Sequence, residues 1–183
     1  KELKKERLYK QREQQKERDR KRQAIQQIKP LLYALALWLV LMMLAHIADY
    51  YWHIAEDMIK FVVASTILIG NSLGFDVAQT IPPNLQVAGF NMQVIFECTA
   101  YNFYLFVVAL VLFARWTWQD KLINFAIFIV SIFLLNTSRF IIMGYIGSAF
   151  PSLFHQIHDY VWTILFALLT AGLYMWRNQK YNR

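Results

Sequence analysis

The sequence predicts an all-α integral membrane protein with about four spanning helices, an outer-face interfacial helix and a small extracytoplasmic β-hairpin. Three observations lead there. Hydrophobic residues make up 57% of the 183 and charged residues only 17%, outside the usual range of a soluble domain. The apolar residues come in uncharged runs rather than at amphipathic or alternating spacing. Glycine and proline number only 6 and 4, and a single cysteine allows no intramolecular disulfide, which excludes collagen-like, disordered and disulfide-stapled classes.

Residues 1–29 form a basic tail. They hold 12 of the 19 Lys and Arg and 5 of the 12 Asp and Glu, so the whole net charge of +7 resides there and residues 30–183 are neutral. A basic segment abutting a span reads as a cytoplasmic anchor facing anionic lipid. No nucleic-acid partner is expected, because Tyr9 is the tail's only aromatic and stacking platforms need several. The tail has no Gly or Pro before Pro30 and pairs Glu2, Glu6, Glu13 and Glu17 with basic neighbours, a composition that is helical when supported. With so few apolar residues to pack, it is expected to be partly disordered or to lie on the lipid surface. Its charged part is too long for a cleavable signal peptide, and no small-residue cleavage site follows.

Residues 30–183 form the membrane-embedded part. The first span is Leu31 to Ala48, 18 residues without Asp, Glu, Lys or Arg and with His46 as their one histidine. Three more uncharged runs serve as spans: Thr99 to Ala114, Leu122 to Ser138 and Tyr160 to Trp176. The basic residues of the 114–121 turn and of the C-terminal RNQKYNR place both inside with the tail, and residues 94–98 and 136–158 outside. On that count residues 56–74 cannot cross. They become an interfacial helix with Glu56 and Lys60 toward water, a fifth span being the alternative. Between Phe75 and Phe96 apolar and polar residues alternate around the turn signal IPPN, which predicts a hairpin ending at Glu97-Cys98. Residues 140–154, broken by Gly144, Gly147 and Pro151, are expected to form a short outer helix or loop.

Three rare residues share the outer face by this count. Cys98 stands at a predicted helix start, where the dipole favours a thiolate, and follows Glu97; it either packs, binds metal or acts as a nucleophile. Arg139 closes an apolar run on the face that disfavours cations, as an interfacial anchor, a partner for Glu97 or Asp159, or an electrophilic clamp. His155 and His158, three apart and on one helical face, precede the last span as candidate bases, or as its polar caps; no HExxH pattern or second carboxylate cluster supports a metal, and His46 and His53 are more distant. Nucleophile, oxyanion stabiliser and base thus meet at one interface from three helices.

The set resembles the exosortase/archaeosortase family of membrane-embedded cysteine transpeptidases, in which a Cys followed by a hydroxyl residue, an Asn-x-x-Arg at a span's end and a His heading the last span recur in order. Here they stand as Cys98-Thr99-Ala100, Asn136-Thr137-Ser138-Arg139 and His158-Asp159-Tyr160-Val161-Trp162, within residues 75–176. Ala100 replaces the family's usual Gly, and the chain lacks the typical member's further N-terminal spans. The resemblance implies Cys98 as nucleophile, Arg139 as oxyanion or substrate stabiliser and His158 as general base and acid, with Asn136, Glu97 and His155 supporting and no cofactor. It implies a prokaryotic plasma-membrane enzyme with cytoplasmic termini and an extracytoplasmic site. Its substrates would be secreted proteins ending in a sorting signal of short motif, transmembrane helix and basic tail. Cleavage forms a Cys thioester, passed to an acceptor amine, lipid, glycan or water. A non-catalytic membrane scaffold, in which Cys98 only packs, and a small transporter are the competing classes; no charge deep within the predicted spans speaks against transport.

Overall fold

The computed structural model of the chain describes residues 2–179 and is mostly helical, with one small sheet. Helix α1 runs from Glu2 to Trp52 without a break, so the basic segment and the first apolar run share one helix with Pro30 inside it. The side chains of most residues before Lys29 lie outside the described set. At His53 the backbone enters the left-handed region (φ 51°), which turns the chain into α2, Ile54–Ser72. Asp49 ties this corner: its carbonyl accepts from His53 N at 2.9 Å and its Oδ1 from Ala55 N at 2.7 Å. Lys60 stays exposed on α2, paired with Glu56 at 3.7 Å and Asp57 at 3.6 Å.

The expected hairpin is a three-stranded antiparallel meander instead: β1 (Val77–Gln79), β2 (Asn84–Val87) and β3 (Phe90–Gln93), in the order β1-β2-β3. The expected IPPN turn joins β1 to β2, and the alternating stretch after it is divided into β2 and β3 by a second, unexpected turn. That turn is Ala88-Gly89, both with positive φ, as a two-residue hairpin matching the strand twist requires.

A 3₁₀ turn, Phe96–Thr99, carries the chain into α3, Tyr101–Phe113. Helix α4 then spans Trp118–Ala149, so residues 140–149, expected in a separate short outer helix or loop, continue that long helix. Its glycines are seats rather than breaks. A Cβ on Gly144 would stand 2.2 Å from Val87 Cβ, and one on Gly147 2.4 Å from the Phe90 ring, so each lets the sheet approach helix backbone. Gly70 of α2 does the same for Val77 at 2.6 Å. The break comes at Pro151–Leu153, a 3₁₀ turn, followed by the short α5 (Phe154–Gln156), a π-helical turn (Ile157–Val161) and α6 (Trp162–Gln179).

Among the described residues, three helical stretches are long and apolar enough to cross a membrane: Lys29–Trp52, Trp118–Ala149 and Pro151–Gln179. The expected fourth, α3, has only 13 residues, about 20 Å at 1.5 Å per residue, and is held between α1 and α4. Large apolar side chains remain exposed along these helices, among them Leu39, Met43, Val130, Leu134, Ile164 and Leu168. Such a surface suits lipid, not water.

Two cores follow from this arrangement. One joins α1, α3, α4 and α6 through Ala34, Val107, Phe128, Ile132 and Phe166. The other joins α2, the sheet and the second half of α4 through Val63, Val77, Leu85, Val87 and Met143. Helices α1 and α3 are antiparallel, since Tyr33 meets Phe113 while His46 meets Tyr101. Arg177 Nε donates to buried Asn124 Oδ1 at 2.5 Å, so the end of α6 lies beside the start of α4. Fifteen residues separate Asn124 from Arg139, about 22 Å of helix. The two cores meet at Cys98, which belongs to the second and adjoins Ala100 of the first.

Candidate active site

Cys98 lies in the 3₁₀ turn, not in the first turn of α3 as its sequence position suggested. The chain needs Ala100 in the left-handed region (φ 59°, ψ 21°) to pass from that turn into α3, so the residue after Thr99 holds a backbone shape that glycine adopts more easily. Cys98 N donates to Ile95 O at 2.9 Å, and its carbonyl accepts from Asn136 Nδ2 at 3.1 Å. Asn136 is buried in mid-α4 and holds the Cys98 turn against that helix.

Arg139 follows one turn later on the same helix. It does not close a span, because α4 continues ten residues beyond it; the apolar run ends there while the helix is held by the sheet. Its side chain is 8% exposed, and Nη2 lies 2.5 Å from His158 Nε2. Its Nε–H has no partner among the described residues. The same His158 Nε2 lies 3.9 Å from Cys98 Sγ. The opposite ring nitrogen, Nδ1, is 2.8 Å from Asp159 Oδ1, and the ring stacks on Phe154 at 5.7 Å and 18°. A guanidinium has only donors, so Nε2 is the acceptor and Nδ1 carries the proton toward Asp159.

The π-turn sets this geometry. π-Helical turns widen a helix by one residue and occur often at functional sites. Here the turn contains both His158 and Asp159, so neighbouring side chains reach one another while α6 keeps its own packing through Trp162, Phe166 and Thr170. Asp159 is the site residue that sequence reasoning missed as a histidine partner. Its adjacency to His158 was the only signal, since a regular helix points adjacent side chains about 100° apart.

A cavity of about 470 Å³ opens onto the set. Cys98, Arg139, His155, His158 and Asp159 line it, with Phe140, Met143 and Phe154 as an apolar floor and β3 along one side. His155 thus shares the cavity with His158 and meets the Phe154 ring edge-on at 5.6 Å. Glu97 is exposed and outside the lining; Arg139 engages His158 rather than Glu97. His46 bonds its own helix at Met42 O, and His53 occupies the α1–α2 corner. Among the described residues, no group of three His, Cys, Asp or Glu is placed to hold a metal ion. The arrangement offers a sulfur nucleophile, an oriented imidazole and a cation with an unused donor around one cavity. No protein family, curated protein or solved structure matches the chain.

Proposed function

We propose that the chain is a membrane-embedded cysteine transpeptidase or protease of exosortase/archaeosortase type, acting on C-terminal sorting signals of secreted proteins. The observation that carries this is the meeting of Cys98 Sγ and Arg139 Nη2 at one nitrogen, His158 Nε2, from three separate elements. Lone buried cysteines that merely pack have no reason to face such a pair.

The chemistry follows from the geometry. Cys98 sulfur attacks the scissile carbonyl carbon while its proton passes to His158 Nε2. Arg139 must leave that nitrogen for the step, and the developing oxyanion is the stronger acceptor that draws it away; the free Nε–H supplies a second donor. As imidazolium forms, Asp159 at Nδ1 stabilises it. Collapse breaks the C–N bond, His158 returns the proton to the leaving amine, and a thioester remains on Cys98. An acceptor amine or water then attacks the thioester, its proton passes to His158, and the sulfur leaves.

Four crossings, with α3 as the short one between α1 and α4, suit this reading. Lys29, Arg115, Lys121 and Arg177 lie toward the end away from Cys98, and the positive-inside bias supports reading that end as cytoplasmic and Cys98 as outer.

The test uses the single thiol. In lipid nanodiscs, alkylation of Cys98 by iodoacetamide is followed by mass spectrometry for the wild type and for His158→Ala. A loss of about tenfold or more is expected, because the imidazole supplies the base that makes the thiolate. Equal rates would leave Cys98 as packing and favour a non-catalytic scaffold.

A further inference from the structure

We infer that the free edge of β3 binds an extended peptide as a fourth strand and delivers its scissile bond to Cys98; this rests on the peptidase reading and names how the substrate is held. Among the described residues strand β3 pairs only with β2, which leaves its other edge open. The register says which groups that edge presents. Val94 N donates to Pro83 O at 3.4 Å, and antiparallel ladders alternate bonded and non-bonded pairs, so Leu85–Met92 and Val87–Phe90 are bonded pairs. The N–H and C=O groups of Asn91 and Gln93 therefore point away from β2. Both residues are exposed, and both line the cavity that holds Cys98, Arg139 and His158.

Main-chain donors and acceptors alternating along an exposed strand are complementary to one thing, another extended backbone. The cavity settles where that backbone leads. β3 forms one side and the turn bearing His155 and Phe154 the other, so a strand laid on β3 runs within the same space as the sulfur. Phe90 and Met92 turn to the α4 side, where Gly147 admits the Phe90 ring. Every second side chain of an added strand shares that side and meets Phe140, Met143 and Phe154. The ligand class is thus an extended peptide with apolar side chains at alternate positions, recognised mainly through its backbone.

The experiment keeps the protein whole and alters the probe. Tetrapeptide chloromethyl ketones of alternating leucine and alanine, in both registers, are reacted with the full chain in nanodiscs; Cys98 sulfur displaces chloride. Chloroacetone is the reference without a backbone. One register is expected to alkylate at least about tenfold faster than chloroacetone, the gain of one or two backbone hydrogen bonds. N-methylating its amides at alternate positions removes that advantage in one parity and spares it in the other. No peptidyl advantage, or equal loss in both parities, overturns the inference. Asn91→Pro, which blocks an outward N–H without breaking a ladder bond, lowers the ratio of peptidyl to chloroacetone rates in the same direction. If instead chloroacetone itself reacts at the same rate in wild type and His158→Ala, the peptidase reading fails. A histidine-dependent thiol that ignores N-methylation sinks only the strand-addition inference.

Discussion

Arg139 Nη2 and His158 Nε2 stand 2.5 Å apart, and the nitrogen they share is the one that faces Cys98 Sγ. Two independent partners therefore demand the same histidine tautomer: Arg139 requires an acceptor at Nε2, and Asp159 a donor at Nδ1. Nitrogen-15 spectra of histidine-labelled protein are expected to show His158 with Nδ1 protonated and Nε2 bare. Either Arg139→Ala or Asp159→Ala alone retains that tautomer, since one partner still enforces it, and the double variant loses it. A protonated Nε2 in the wild type would sink the assignment.

Asn136 is the donor that holds the Cys98 turn to α4. Asn136→Ala leaves a buried carbonyl without its partner, which costs about 1–3 kcal/mol in thermal unfolding. Asn136→Asp keeps the shape but must carry a proton to donate. The native state then binds a proton that the unfolded chain releases, so the stability of that variant falls as pH rises while that of Asn136→Ala does not follow it. Parallel pH profiles for the two would show that the bond to Cys98 O is absent.

The glycines of α4 and α6 separate by what surrounds them. Gly144→Ala and Gly147→Ala force a methyl group into Val87 and Phe90, and each is expected to cost about 1–3 kcal/mol. Gly172→Ala meets nothing within 4 Å and is expected to be neutral or to stabilise by up to about 1 kcal/mol. Midpoints of thermal unfolding in one detergent rank the three. A Gly144→Ala midpoint equal to that of Gly172→Ala contradicts the seating of the sheet on α4.

At Ala100 two effects of similar size oppose. The left-handed backbone costs an alanine about 1–2 kcal/mol, and the buried methyl contributes about 0.8 kcal/mol, so Ala100→Gly is expected to shift stability by no more than about 1 kcal/mol. A β-branched side chain has no such compensation. Ala100→Val is expected to lose about 2 kcal/mol or more and to slow Cys98 alkylation, because the turn bearing the sulfur must move. Wild-type stability in Ala100→Val would show the turn to be relaxed without a left-handed residue.

How much of this was legible beforehand differs between elements for physical reasons. The apolar runs beginning at Leu31, Leu122 and Tyr160 announced their helices, since hydrophobicity along a chain is a local property. The end of α4 was hidden because Gly144 and Gly147 look like breakers in isolation; their purpose depends on Val87 and Phe90, more than fifty residues away. The turn at Ala88-Gly89 was hidden within one alternating stretch, and α3 was too short to cross unaided. Within the site, Cys98, Arg139 and His158 were legible as rare residues on one face, and they do meet. Asp159 as a histidine partner was not, because it depends on a π-turn that no composition signals.

That turn also works as a phase insertion between two separately indexed faces. A regular helix advances about 100° and 1.5 Å with each residue, so the direction of His158 would be locked to that of Phe166 and Thr170. One extra residue in the turn lets the imidazole be aimed at the sulfur while α6 keeps its lateral packing unchanged. Deleting one residue among Asp159, Tyr160 and Val161 would restore the regular period and rotate one face against the other by that same 100°. Either the histidine would leave Cys98 or Phe166 would leave its stack on Phe103, and the helix could not keep both.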